Sequence, residues 1–306
     1  MKTSNRRWQA WLFGLAITSI SATAMAGESV PAAAAATPTG VEVRWSGHVA
    51  SFYAYSFERP SNGAINNRIF DNRHNAFAIS GASLGAEIQG SASYAKIALW
   101  WGLTPATIYA GEPNVAASTG VGPSNAQIWR LVQEVNAGWT VPGETGLQIS
   151  AGLFPSPFGL EGATVRDNWN WSSSNLNFAL PFYLAGARVS YPVGDGVHFT
   201  AGIYNGFGSL LDRNGEKSIA LQLSGEEGTL QWGTCYYGGV ERATSAPEGQ
   251  PMLHMLDAWA RWALGGGLSL AVQADVGYED NDLGTSWWAA AALYVRKRLN
   301  DKVALT

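Results

Sequence analysis

From Val41 onward, apolar and polar residues alternate with a period of two. In the first segment Val41, Val43, Trp45, Val49, Tyr53 and Tyr55 share one face, and Glu42, Arg44, Ser46 and His48 share the other. Successive side chains of a strand point to opposite faces, so this set predicts a strand and does not fit helical spacing. The longest case sets Leu268, Leu270, Val272, Ala274, Val276 and Tyr278 against Ser269, Ala271, Gln273, Asp275, Gly277 and Glu279. Segments of this kind are predicted at 41–56, 75–89, 92–103, 127–140, 146–154, 182–192, 197–205, 216–226, 229–238, 252–265, 267–279 and 286–299. Short turns such as Gly194-Asp195-Gly196 and Gly265-Gly266-Gly267 alternate with long polar loops near 57–74, 104–126, 155–181, 206–215 and 240–251.

Most segments approach the roughly ten residues that a tilted strand needs to cross a bilayer. A soluble β-sandwich also has one apolar face. Here, however, that face carries aromatic residues near strand ends, as interfacial girdles do: Trp45, Trp101, Trp139, Tyr191, Trp232, Trp262 and Tyr278. Composition points the same way. Fourteen Trp and 36 Gly accompany a charged fraction of 14%, against about 25% in soluble domains. No stretch after the N-terminus reaches the roughly 18 apolar residues of a spanning helix. A closed barrel reconciles these features, because only alternate residues face lipid. The expectation is an all-β fold, a transmembrane antiparallel up-and-down β-barrel with about twelve visible strands.

The N-terminus reads as a secretory signal. Lys2, Arg6 and Arg7 precede the apolar run from Trp11 to Ile20, and Ala24-Met25-Ala26 offers small residues before Gly27. The expected organisation is a signal peptide over 1–26, cleaved near Ala26, a flexible periplasmic lead-in over 27–40, and an outer-membrane barrel over 41–306. Removing residues 1–26, which hold three basic residues and no acidic one, moves the net charge from −4 to −7. That balance argues against nucleic acid as a partner. Cys235 is the single cysteine, so no disulfide framework can form within the chain.

Short runs in a fixed order then carry a resemblance. They include Arg68-Ile69-Phe70-Asp71-Asn72-Arg73-His74-Asn75-Ala76-Phe77, the turn Gly152-Leu153-Phe154-Pro155-Ser156-Pro157-Phe158-Gly159-Leu160-Glu161, and Asn168-Trp169-Asn170-Trp171-Ser172. Pro181-Phe182-Tyr183, Gly186-Ala187-Arg188, Tyr191-Pro192, Tyr204-Asn205-Gly206-Phe207, Asp212-Arg213-Asn214 and Lys217-Ser218 continue the series. Together they resemble the putative β-barrel porin-2 (OmpL-like) family of Gram-negative outer membranes, most densely between Gln133 and Leu223. The resemblance implies a porin-like barrel, with outer-membrane lipid, small hydrophilic solutes and the barrel-assembly machinery as partners and no inherited solute. A homo-oligomer is compatible with it, although no strand is marked as subunit-facing. Barrels of this kind usually end on an aromatic residue. This chain stops at Asp301-Lys302-Val303-Ala304-Leu305-Thr306 as a thirteenth strand begins. The expectation is a C-terminal truncation, with about fourteen strands in the intact protein.

A pore needs a polar inner wall and a constriction rather than catalytic residues. Phase counting turns Arg44, His48, Lys96, Arg130 and Glu134 inward. It does the same for Arg188, Asp257, Arg261, Asp275 and Glu279. A bulge would flip such an assignment, and Ser80-Gly81-Ala82 has the composition of one. The long loop carries Glu161, Arg166, Asp167, Trp169 and Trp171 and is a candidate constriction, with an extracellular cap as the alternative. His48, His74, His198 and His254 show no metal spacing, and no Ser is read as the nucleophile of a G-x-S-x-G elbow. Neither a catalytic set, a metal site nor a cofactor is expected. A Ser–His pair across strands, as in a barrel hydrolase, stays compatible with the sequence. So does a plugged structural or adhesive barrel, since inward Phe154, Trp100 and Tyr237 could fill an interior. Asp280-Asn281-Asp282 reads as a hairpin rather than a calcium site.

Overall fold

The computed structural model describes residues 40–112, 130–212 and 214–306. The expected signal peptide and nearly all of the lead-in lie outside the described residues, as does Arg213. Thirteen antiparallel strands follow one another in chain order in a single sheet. They are β1 (Glu42–Ala54), β2 (Ala76–Gln89), β3 (Ser93–Trp101), β4 (Val132–Thr140), β5 (Gln148–Pro155), β6 (Tyr183–Gly194) and β7 (Val197–Tyr204). β8 (Ser218–Glu227), β9 (Leu230–Val240), β10 (Met252–Gly265), β11 (Leu268–Asn281), β12 (Gly284–Arg298) and β13 (Ala304–Leu305) complete it. The sheet is up-and-down and not closed, since β1 and β13 are not paired with each other.

Alternation is the reason these residues form these strands. Along β11, Ala271, Gln273, Asp275, Gly277 and Glu279 are buried while Val272, Ala274, Val276, Tyr278 and Asp280 are exposed. The exposed side is mainly apolar, with Ile97, Val135, Ile203, Leu256 and Leu293 among its side chains. Such an outer surface suits lipid and would be an aggregation hazard in water.

The connections separate into two sets. The links 90–92, 141–147, 195–196, 228–229 and 266–267 are short and lie at one end. At the other end 55–75, 102–131, 156–182, 205–217 and 241–251 are long, and only 282–283 is tight. A short helix, α1 (Leu103–Ile108), begins the second long link. Beyond it Tyr109 stacks on Tyr183 with ring centroids 4.7 Å apart and donates its hydroxyl to the Val132 carbonyl at 2.7 Å. Glu112, also buried, accepts from the Tyr183 hydroxyl and from the Leu210 amide.

Bulges mark the places where phase shifts. Ala50 pairs with Gly81 and Ser51 with Ile79, so Ser80 is the extra residue. In β4, Ala98 pairs with Glu134 and Leu99 with Val132, leaving Gln133 unpaired. One glycine is required outright. Gly152 in β5 has φ +137°, and a Cβ there would lie 2.6 Å from Asn136 Cα. Both the positive φ and the contact with backbone oppose any side chain. Gly152→Ala is expected to destabilise the folded protein by about 1–3 kcal/mol, read from urea unfolding in lipid vesicles. An unchanged midpoint would show that β5 relaxes freely at this point.

Candidate functional site

The inner face of the sheet and the loop 156–182 form one unit. The loop begins where β5 ends, at Ser156, and its first turn meets the far wall. Gly159 N–H donates to Asp257 Oδ1 on β10 at 3.2 Å, and Leu160 N–H donates to Gln273 Oε1 on β11 at 2.8 Å. Gln273 Nε2 in turn donates to both oxygens of Asp275, at 3.2 and 3.0 Å. Asp257 and Asp275 stand directly opposite each other on adjacent strands. Two carboxylates so placed would repel each other; the Gly159 amide on Asp257 and the Gln273 amide on Asp275 offset that cost. Phe158, Leu176 and Leu180 of the loop bury themselves with Phe154, Leu184, Tyr237 and Met255.

Further along, the loop crosses to other strands. Buried Glu161 accepts from Ser174 N–H at 2.8 Å and Ser174 Oγ at 2.6 Å, and Tyr294 of β12 donates to Ser174 Oγ at 3.3 Å. Gln133 of β4 donates to Thr164 Oγ1 at 2.9 Å. The Arg296 guanidinium lies 5.9 Å from the Trp169 ring. Arg166 pairs with its neighbour Asp167 at 2.8 Å, and Trp171 is exposed. The first long loop joins in: Arg68 bridges Asp71, at 3.0 Å, and Ser172, while Phe70 stacks edge-on against Phe182. A loop tied to β4, β10, β11 and β12 lies across the inside of the sheet.

The other residues read from the sequence fall as follows. His48, Lys96, Glu134, Arg188 and Arg261 are half-buried and, by strand register, share a face with Asp257 and Asp275. Lys96 faces Glu87 at 3.9 Å, Glu134 accepts from Asn136 at 2.8 Å, and Arg188 packs over the Phe154 ring at 4.1 Å. Arg261 donates to Gln231 Oε1 at 3.1 Å through Nε. Arg44 pairs with Glu42 at 2.8 Å near the short-turn end of β1. Arg130 departs from its reading, because β4 starts only at Val132. It lies in the turn before the strand, where strand phase does not apply. Glu279 meets Arg242 at 2.8 Å. That hydrogen bond leads the causes that raise the Arg242 guanidinium above its ordinary range.

Trp45, Trp139, Tyr191, Trp232 and Trp262 lie near short-turn ends of their strands, and Trp101 and Tyr278 near long-loop ends. Exposed Phe77 and Trp287 stand at the long-loop end too. They escaped the sequence reading, although the same two-residue period reaches them.

Ser83 falls in the run Gly81-Ala82-Ser83-Leu84-Gly85, and its hydroxyl lies 2.7 Å from His48 Nδ1. The serine is inside β2 rather than on a strand-to-helix elbow. No carboxylate hydrogen-bonds to His48 among the described residues, so the pair lacks the orienting acid of a triad. Among the described residues no three His, Cys, Asp or Glu side chains gather as metal ligands. Asp280 and Asn281 build the tight hairpin of β11 and β12, with Asn281 Oδ1 accepting from Leu283 N–H at 3.0 Å.

An up-and-down antiparallel sheet with an apolar outer belt, aromatic strand ends and a polar inner face defines an outer-membrane barrel protein. More narrowly, the chain belongs to the family described as putative beta-barrel porin-2, OmpL-like, which it matches over residues 42–306. Its place is therefore the bacterial outer membrane. No curated protein matches it. Among solved structures it is similar to OmpT, an outer membrane protein of Vibrio cholerae (trimer form), at 9% identity and a TM-score of 0.42, covering 86% of this chain and 85% of that one. It is likewise similar to an anion-selective porin from Comamonas acidovorans, at 13% identity and a TM-score of 0.42, with 85% of each chain covered.

Proposed function

We propose that the protein is a passive, water-filled pore for small hydrophilic solutes and ions, narrowed by the loop 156–182. In this reading it is exported by a leader over 1–26, cleaved near Ala26, and inserted by the barrel-assembly machinery. The observation that carries it is the division of the sheet into a lipid-type face and a face bearing ionisable side chains of both signs. A wall that met only other protein would not need charges such as Lys96, Arg188 and Glu134 along its length. The second reading, a plugged structural barrel, is favoured by one observation: Trp100, Phe154 and Tyr237 are inward and buried, so aromatic rings and the loop occupy part of the interior.

Reconstitution in a planar bilayer separates the two. Discrete ohmic steps are expected, with only a mild ion preference because the inner face carries charges of both signs. A silent bilayer containing folded protein would replace the pore with the plug. Strong anion selectivity would contradict the charge assignment.

A further inference from the structure

The long-loop end holds a feature that a passive pore does not need. Between the loops 205–217 and 241–251 lies a cavity of about 150 Å³ lined by Asn205, Phe207, Ser209, Asn214, Glu241 and Leu253. Glu241 is held in place by neutral donors from both flanking segments. Its Oε1 accepts from Ser218 Oγ and the Tyr237 hydroxyl, and its Oε2 accepts from Phe207 N–H at 2.7 Å. Gly206, at φ +143°, allows the turn to close on the carboxylate; a Cβ there would sit 3.0 Å from Glu241 Oε2.

Charge pairing among the described residues leaves this carboxylate over. The described basic side chains of the two loops are engaged elsewhere, Arg242 with Glu279 and Glu248 and Lys217 with Asp212. Burial works against ionisation of Asp212, but hydrogen bonds from Lys217, Gly215 and Asn214 hold its carboxyl below the ordinary range. Lys217 thus has a charged partner and does not compensate Glu241. No ion-pair partner of Glu241 occurs among the described residues.

We propose that this cavity binds a small organic cation, with an ammonium group on Glu241 and its alkyl part against Phe207 and Leu253. Hydroxyl or amide substituents would meet Asn205 and Ser209. An ammonium offers charge-assisted hydrogen bonds to a carboxylate and attraction to an aromatic face. Apolar walls with a few convergent polar groups are the usual make-up of a small-molecule site. A hard divalent ion fits poorly, because it takes six or so oxygen ligands and one carboxylate stands here.

The test is calorimetric titration of the full-length protein, folded in detergent micelles, with ethanolammonium chloride in a sodium chloride background. Saturable one-site binding with a dissociation constant on the order of 1 mM is expected. Glu241→Gln should weaken it roughly tenfold or more. Leu253→Phe, which fills the cavity and keeps the carboxylate, should do the same. Retention of heat-modifiable gel mobility shows that both variants are folded. Absence of binding to the wild-type protein, equal displacement by added sodium, or unchanged affinity in folded Leu253→Phe would each overturn the site. The readout does not depend on conductance, so a sealed barrel could bind and an open one could fail to.

Discussion

Deletion of residues 164–173 is expected to raise the single-channel conductance severalfold while the sheet stays folded. The segment removed includes Thr164, which Gln133 holds to β4, and Trp169, which lies against Arg296 of β12. It spares Gly159 and Leu160 and the buried Phe158, Leu176 and Leu180, so the loop keeps its anchor on β10 and β11 while losing the span across the interior. Flow through a narrow pore is governed by its tightest section, so removing that section has a larger effect than any wall substitution. The anchor can be released separately. Asp257→Ala with Gln273→Ala removes both acceptors for the loop amides and should produce noisy, frequently switching currents rather than one larger level. Conductance that is unchanged in the deletion, with folded protein present, would place the loop above the rim as a cap.

The strands were legible because two faces in different solvents impose a period of two. In β11 every residue from Ala271 to Glu279 lies on the side that the alternation predicts. The bulge at Ser80 was legible for a related reason, since a Ser-Gly-Ala run breaks the pattern of large outward residues. The extra residue at Gln133 was not. It interrupts no visible period, and the same period carries Arg130 into a strand that begins two residues later. The loop's route was hidden for a different reason. Its anchoring bonds join residues 98 and 113 positions apart, and the acceptor Gln273 is neutral, so a search for ionisable groups passes over it. Glu241 was missed likewise: it follows the last residue of β9, where strand phase gives no direction. Periodicity reports which solvent a side chain meets, and it carries no information about a loop that folds inward.

That same division of solvents predicts the largest change in stability. Ala274 lies at the middle of β11 on the outer face, beside Ala258 and Ala291 of the neighbouring strands, and is exposed. Its small neighbours leave room for an arginine, so Ala274→Arg isolates the cost of placing a guanidinium in hydrocarbon. That cost is about 2–4 kcal/mol near the midplane of a membrane barrel. Gln222 on β8 is the control. It sits opposite Cys235 and Thr200 on the inner face and is half-buried. There Gln222→Arg adds a charge to a polar wall and should cost less than about 1 kcal/mol. Urea unfolding in phospholipid vesicles measures both. Equal costs at the two positions would mean that the sheet does not have lipid on one side and water on the other. A larger cost at Gln222 would reverse the faces, turning Ile97, Val135 and Leu256 toward the interior and the charged wall outward, where a bilayer would not hold it.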